Sequence, residues 1–286
     1  MGTRTLVVGG TAGIGYGLAC RIAAANSSSS VIISGRSEPD KLPHPNIEFR
    51  PLDASSMCQI KRYTDAFKSA EEQKLDFLIM SQAIMTTASR TETPEGIDYK
   101  MALHYFGKQL LIRELLPVLQ PNAKIIIVLD GRLGDHTKLN WDDLDLKNHF
   151  SLSNAAQHCM VMNDAMIQYH ATQQLQPQHG TGKRHFMHVF PGAVKTNIWK
   201  GLPWYLQPLM RGAGAALGAD PQVYAQKLLD SAAICATESE AEGRFWSNID
   251  NKHRLIRDKN VFTEAEMAKI AAHTWSIVDT AIRNTS

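Results

Sequence analysis

The 286-residue chain carries 30 Lys and Arg against 28 Asp and Glu, a formal net charge of +2, with 44% hydrophobic and 20% charged residues. That composition supplies a full-sized core and excludes wholesale disorder, while the charge balance speaks against nucleic acid as a partner, which needs a strongly basic face. No apolar run approaches the roughly 20 residues that cross a bilayer, so stable membrane insertion is not expected.

Strand-like sequence begins at Thr5-Leu6-Val7-Val8, which leaves no room for a signal peptide and makes the cytoplasm the expected compartment. A helix containing Leu18, Ile22 and Ala25 follows, then strands at Val31-Ile32-Ile33-Ser34 and from Ile47-Glu48-Phe49. Ile60, Tyr63 and Phe67 at helical spacing lead to a strand at Phe77-Leu78-Ile79-Met80. A helix over about residues 97–116 aligns Leu103, Phe106 and Leu110, and the strongest strand of the chain is Lys124 to Leu129. After a polar loop holding Asp142, Asp143 and Asp145, a long helix is predicted over about 153–174. Gln176 to Lys183 reads as a surface turn, and His185 to Phe190 as a sixth strand ended by Pro191-Gly192. Thr263 and Glu266 form a capping box that starts a last helix, about 263–283, which docks through Ala271, Trp275, Val278 and Ile282.

The strands are continuous rather than alternating apolar runs, the mark of strands buried on both faces. Strand–helix alternation of this kind specifies a Rossmann-like α/β fold: a doubly wound parallel sheet with helices on both faces, in three α/β/α layers. No repeat or linker splits residues 1–286, which read as one domain. Cys20, Cys58, Cys159 and Cys235 lie far apart without metal-ligand spacing, so buried or idle thiols are expected and no metal site.

The first strand runs straight into Val8-Gly9-Gly10-Thr11-Ala12-Gly13-Ile14-Gly15. Glycines at 9, 13 and 15 allow a tight turn, a close approach to a pyrophosphate and close helix–strand packing, and the helix N-terminus offers N–H groups to phosphate. The strand–turn–helix context gives the motif its weight. An NAD site requires a carboxylate about 20 residues further on, for the ribose 2′-hydroxyl. Here stand Ser34-Gly35-Arg36-Ser37: Gly35 removes the carboxylate and Arg36 offers a fork to a 2′-phosphate, unless it is an ordinary solvated arginine. NADPH is therefore the expected cofactor.

The spacing Gly-x-x-x-Gly-x-Gly resembles that of the short-chain dehydrogenase/reductase superfamily, with Val8 where that family usually has Thr. Leu52-Asp53-Ala54 looks like its adenine-contacting segment, and Ser81-Gln82-Ala83-Ile84 lies where it has Asn-Asn-Ala-Gly. Pro191-Gly192-Ala193-Val194-Lys195-Thr196 looks like the segment whose Val and Thr hold the nicotinamide carboxamide. The resemblance covers about residues 4–200. It implies cofactor contacts at Gly9, Thr11, Ala12, Gly13, Ile14, Gly15, Arg36, Ser37, Asp53, Ala54, Ser81, Gln82, Ala83, Pro191, Gly192, Val194 and Thr196, and a homodimer or homotetramer.

That family's catalytic signature, Tyr-x-x-x-Lys, is missing: none of the seven tyrosines is followed by Lys four residues on. Its place falls either on Phe150 and Asn154 or on Ala156 and Met160, and neither pair transfers a proton. Asp130 occupies the slot of the family's Ser and His104 that of its Asn. Asp130, Arg132 and His104 are the candidate catalytic residues. Asp130 could act as acid or base, Arg132 could polarise a carbonyl, and His104 has the right intrinsic pKa for proton transfer. Alternatively Asp130 and Arg132 pair and cap a loop, and His104 is a core histidine. His158 and Asp164 are weaker candidates, adequately explained as solvated helix positions.

Asn197 to about residue 218 corresponds to the family's substrate lid, and its Trp199, Trp204, Tyr205 and aliphatics suit a bulky lipophilic substrate, ordinary lid packing, or a dimer or membrane-facing patch. Three functions remain: an NADPH-dependent reductase of a carbonyl or iminium compound in secondary metabolism, a non-redox isomerase or cyclase with a vestigial cofactor, or an inactive binding protein. The first is preferred, because hydride transfer needs mainly cofactor placement and an iminium carbon needs no added proton.

Overall fold

A computed structural model describes residues 2–70, 72–176 and 183–285. Its centre is a seven-stranded, wholly parallel sheet in the order β3-β2-β1-β4-β5-β6-β7. The strands are β1 (Arg4–Val8), β2 (Ser30–Gly35), β3 (Ile47–Pro51), β4 (Leu75–Met80), β5 (Leu119–Val128), β6 (His185–Val189) and β7 (Trp246–Ile249). Six of them fall where the apolar runs predict. The seventh does not announce itself in sequence, because half of it is Ser247 and Asn248.

Both sheet faces are covered, as continuous apolar strands require. On one face α1 (Gly13–Ala25) and α7 (Pro221–Ala241) bury Leu18, Ile22, Tyr224 and Leu228 against Val7, Ile33, Ile126 and Met187. On the other, α2 (Met57–Ser69), α4 (Gly107–Leu115), α5 (Leu152–Gln173) and α8 (Glu264–Thr285) cover Leu6, Ile32, Leu78, Ile125 and Ile127. The helix expected over 97–116 is broken into α3 (Tyr99–Met101), a π-helical turn (Ala102–Phe106) and α4. The remaining helix, α6 (Gln207–Leu217), lies in the lid segment.

Several local expectations hold in detail. Thr263 and Glu266 cap each other's backbone N–H groups at 2.8 and 3.2 Å, fixing the start of α8. Ala271 and Val278 of that helix are buried, with Trp275 and Ile282 packed beside them. All four cysteines are free and buried. Most of the turn expected at Gln176–Lys183 lies outside the described residues. Among the described residues no helix is long and apolar enough to cross a membrane.

The strand order reverses between β1 and β4, whose carboxyl ends Val8 and Met80 lie side by side. A crevice opens at such a switch point because the connections leave it in opposite directions.

Candidate active site

At the end of β1 the chain turns through Gly9, which has φ +78°. A Cβ there would come within 2.5 Å of the Gln82 backbone nitrogen, so neither the conformation nor the space admits a side chain. Gly15, one turn into α1, lies so close to the segment after β4 that a Cβ would stand 2.3 Å from Ser81 Oγ. Ser81 in turn donates to the carbonyl of Gly9 at 3.2 Å. The amino end of α1 begins at Ala12, which provides no side-chain cap, and its first turn holds no acidic residue. Its free N–H groups and positive dipole end therefore face the crevice unneutralised.

The crevice is a cavity of about 670 Å³. Thirteen of the seventeen expected cofactor residues line it: Gly9, Thr11, Ala12, Gly13, Ile14, Arg36, Asp53, Ala54, Ser81, Gln82, Ala83, Pro191 and Thr196. Gly15 lies behind them in α1, and Ser37, Gly192 and Val194 stand outside the lining. Val194 is buried and bridges Ala219, tying the segment after β6 to the end of the lid. Gln82 is 7% exposed, and neither its amide nitrogen nor its amide oxygen finds a hydrogen-bond partner among the described residues. A buried amide with both ends free costs several kcal/mol, roughly 1–3 per group, and its position on the cavity wall suits a polar ligand.

Residues that sequence reasoning did not single out complete the walls. Tyr99 receives a hydrogen bond from Arg36 at 3.3 Å, Leu103, Leu129 and Phe190 supply apolar surface, and Lys200 enters from the lid segment. The first three apolar positions look like ordinary core residues in sequence, and nothing in their local pattern marks them as a cavity wall.

The three catalytic candidates are not brought together. Asp130 is half-buried and lines the crevice, with one carboxylate oxygen accepting the backbone N–H groups of Arg132 and Leu133 at 3.0 and 2.9 Å. It forms no ion pair with Arg132 among the described residues; Arg132 instead lines a neighbouring cavity of about 770 Å³ with His136, Arg254, Arg257 and Lys259. His104, in the π-helical turn, stands behind the wall, where its Nε2 accepts the backbone N–H of Ile84 at 3.0 Å. Burial, reinforced by the nearby Lys108 cation, pushes its pKa down to about 4. The ring is therefore neutral near pH 7, and its bond to Ile84 holds the Ser81–Ile84 segment in place.

Neither register for the missing Tyr and Lys reaches the crevice. Phe150 lies under the Lys100 ammonium at 4.9 Å, Asn154 caps the His149 carbonyl, Ala156 is exposed, and Met160 packs beside Gly134. No residue of α5 lines the cavity.

His158 and Asp164 are not solvated, contrary to expectation. His158 is 1% exposed and bridges Leu144 and Asn140. Asp164 is 3% exposed and binds His188 Nδ1 at 2.6 Å, Asn248 Nδ2 at 2.5 Å and Lys259 Nζ at 2.6 Å. The helical period of α5 turns both residues inward, where distant segments satisfy them.

An oxidoreductase of Emericella nidulans is 34% identical to this chain over 207 residues, covering 68% of this chain and 59% of that protein. The human polyprenol dehydrogenase is 26% identical over 216 residues, 70% of this chain and 63% of that protein. The chain thus spans about three fifths of the length of these relatives. Among solved structures, the NADPH-bound carbonyl reductase from chicken fatty liver superposes with a TM-score of 0.60 at 16% identity, over 89% of this chain and 98% of that one. No protein-family model matches. The glycine turn, the switch-point crevice and the strand order define a doubly wound α/β protein with an open cleft at the carboxyl ends of its central strands. The chain shares the fold of short-chain dehydrogenase proteins such as one from Francisella tularensis, with a TM-score of 0.60 at 18% identity, and its sequence lacks the Tyr-x-x-x-Lys signature of the family it resembles.

Proposed function

We propose that the protein is an NADPH-dependent oxidoreductase that reduces a bulky lipophilic carbonyl or iminium compound. The observation that carries this reading is the crevice itself, lined by the glycine turn, an arginine in place of a carboxylate after β2, and an unpartnered buried amide. Those residues fit a phosphorylated dinucleotide. The amino end of α1 would take the pyrophosphate, Arg36 the 2′-phosphate, Asp53 and Ala54 the adenine end, and Ala83, Pro191 and Thr196 the nicotinamide end. NADPH bound there would supply a hydride. The names of the relatives and of the NADPH-bound neighbour agree with such an activity.

Substrate class follows from what shares the crevice with the nicotinamide end. Ile84, Leu103, Leu129, Phe190 and Ile198 make that part apolar, which selects a lipophilic molecule. Asp130 is the carboxylate there. It attracts a cationic electrophile such as an iminium ion, or relays a proton to the oxygen of a carbonyl substrate through water. An iminium carbon needs only the hydride, so the absence of a proton donor from α5 is compatible with turnover. Non-redox isomerisation on the same scaffold is the second reading; it is favoured by that absence and by the Asp130 carboxylate in an apolar cleft.

The test is direct. Purified protein is titrated with NADPH by fluorescence and then offered lipophilic ketones and cyclic imines while absorbance at the reduced-nicotinamide band is followed. Consumption of NADPH with product formation supports reduction. Product formation without NADPH consumption establishes the isomerase instead, and failure to bind any nicotinamide coenzyme removes the redox reading altogether.

A further inference from the structure

We propose that the lid segment from Asn197 to Leu217 docks reversibly on an anionic phospholipid surface, and that the crevice draws its lipophilic substrate from that surface. The substrate part rests on the reading of the crevice given above; the docking part does not.

Exposed apolar side chains concentrate in this segment. Trp204 is 81% exposed, Leu217 79%, Leu209 70%, Tyr205 62% and Ile198 37%. These are five of the twelve exposed large apolar residues among those described, within a stretch of twenty. Trp204 and Tyr205 stand edge to face, their ring centroids 6.1 Å apart, at the turn that leads into α6. Tryptophan and tyrosine are the side chains whose amphipathic rings favour the headgroup region of a bilayer. A water-facing indole of this exposure is unfavourable unless something covers it.

Charge decides what covers it. No Asp or Glu occurs between Ala165 and Ala219, while Lys195, Lys200 and Arg211 are all exposed; Asp220, which lines a cavity with Lys195 and Arg211, accepts the backbone N–H groups of Gln222 and Val223 at the start of α7. None of the three enters an ion pair among the described residues, whereas Arg254 and Arg257 on another surface are matched by Asp250, Glu238 and Glu242. Aromatic insertion combined with an excess of positive charge, here three cations to the one carboxylate of Asp220, is the pair of weak signals that together give reversible binding to anionic lipid. A second copy of the chain would bring the same cations to the same place and meets repulsion there.

The segment is also built into the crevice. Trp199 is buried and packs from inside against α6, where a Cβ on Gly214 would lie 3.0 Å from its ring. Ile198, Lys200 and Gly201 line the cavity. One face of the lid is thus fastened to the crevice, and the aromatic pair projects from it into solvent. A lipid-dissolved substrate reaching the protein at Trp204 meets the cavity wall within the same segment.

The experiment is co-sedimentation of the full chain with vesicles of phosphatidylcholine alone and of phosphatidylcholine with phosphatidylserine, at low and high salt. The expected result is about tenfold tighter binding to the anionic vesicles, lost at high salt. Combined Trp204→Ser, Tyr205→Ser and Leu209→Ser substitution should reduce that binding about tenfold or more, with melting temperature and NADPH affinity unchanged. Equal binding by the variant, or no binding to anionic vesicles, overturns the proposal. So does a concentration-dependent dimer that the triple variant converts to monomer without any vesicle binding, because the cover is then a second copy. Vesicle binding together with failure to bind NADPH would leave docking standing and sink the reductase reading.

Discussion

Replacing Arg36 by Ala tests the proposed cofactor preference at the residue that would set it. The guanidinium follows β2 directly, stands exposed on the crevice wall, and donates to the Tyr99 hydroxyl at 3.3 Å. A 2′-phosphate beside it would carry about −1.5 to −2 charges at neutral pH. At about 4 Å and an effective dielectric of about 20, one pair of unit charges attracts by about 4 kcal/mol. Water and salt reach this site, so the net value is about 2 kcal/mol, within the range of charge-assisted hydrogen bonds. The Arg36→Ala protein should therefore bind NADPH about 30-fold more weakly, while NADH, with a neutral hydroxyl there, changes less than about twofold. Titration calorimetry with both coenzymes measures this. The preference should also shrink below about pH 6, where the phosphate takes up its second proton. Equal weakening of the two coenzymes, or no change in either, refutes the assignment of Arg36.

Other consequences are equally measurable. Gly9→Ala places a methyl group where the Gln82 backbone leaves no room, at a φ of +78°; about 1–3 kcal/mol of stability should be lost, seen as a lower melting temperature and weaker NADPH binding. Asp130→Asn keeps the shape of the loop cap and removes the charge, so turnover should fall about 100-fold or more with the NADPH dissociation constant unchanged; an unaltered rate would take Asp130 out of the mechanism. Burial holds His104 at about 4 and His170 at about 3, against 6.5 for a free histidine. Both rings bind a proton more readily when unfolded, so the stability they allow is complete above about pH 6.5. It falls by about 1.4 kcal/mol per pH unit per ring as pH drops toward the folded values. Urea denaturation between pH 7 and pH 5 measures that slope, and His170→Gln should lower it by one ring's share.

That the glycine turn and Arg36 share one crevice wall was legible in sequence because their placement is local. Gly9, Gly13 and Gly15 sit within one strand–turn–helix unit, and Arg36 follows the next strand directly, so position along the chain translates into position in space. The six apolar strands were legible for a similar reason: burial on both faces demands an unbroken apolar run. β7 fails that test, since Ser247 is buried to serve His185 Nε2 at 2.6 Å and Asn248 to serve Asp164. The reaction half was not legible either. Whether Arg132 faces the crevice or its neighbour depends on how the loop after β5 lies on the sheet, and the burial of Asp164 depends on partners 24, 84 and 95 residues away.

Those long-range partners also explain why Asp130 faces the crevice although α5 does not. Gly131 lies against β6 so closely that a Cβ would be 2.4 Å from the His188 carbonyl oxygen, and Gly134 lies against α5 with 3.2 Å between a Cβ and that of Met160. Two glycines thus let the loop press onto β6 and onto α5 beside Met160, which belongs to one of the two places where the resembled family's Tyr and Lys would fall. What fixes the loop there is the amide of Asn248, which donates to the Gly131 carbonyl at 2.9 Å and to Asp164 at 2.5 Å. Asp164 is balanced by the Lys259 ammonium, so the buried charge is compensated and the amide is held rigid. The cluster beneath the loop therefore positions the backbone next to Asp130 without touching the cavity. The loop thus brings a carboxylate to the crevice while no residue of α5 reaches it, Gly134 lying against Met160 and Val161 of that helix.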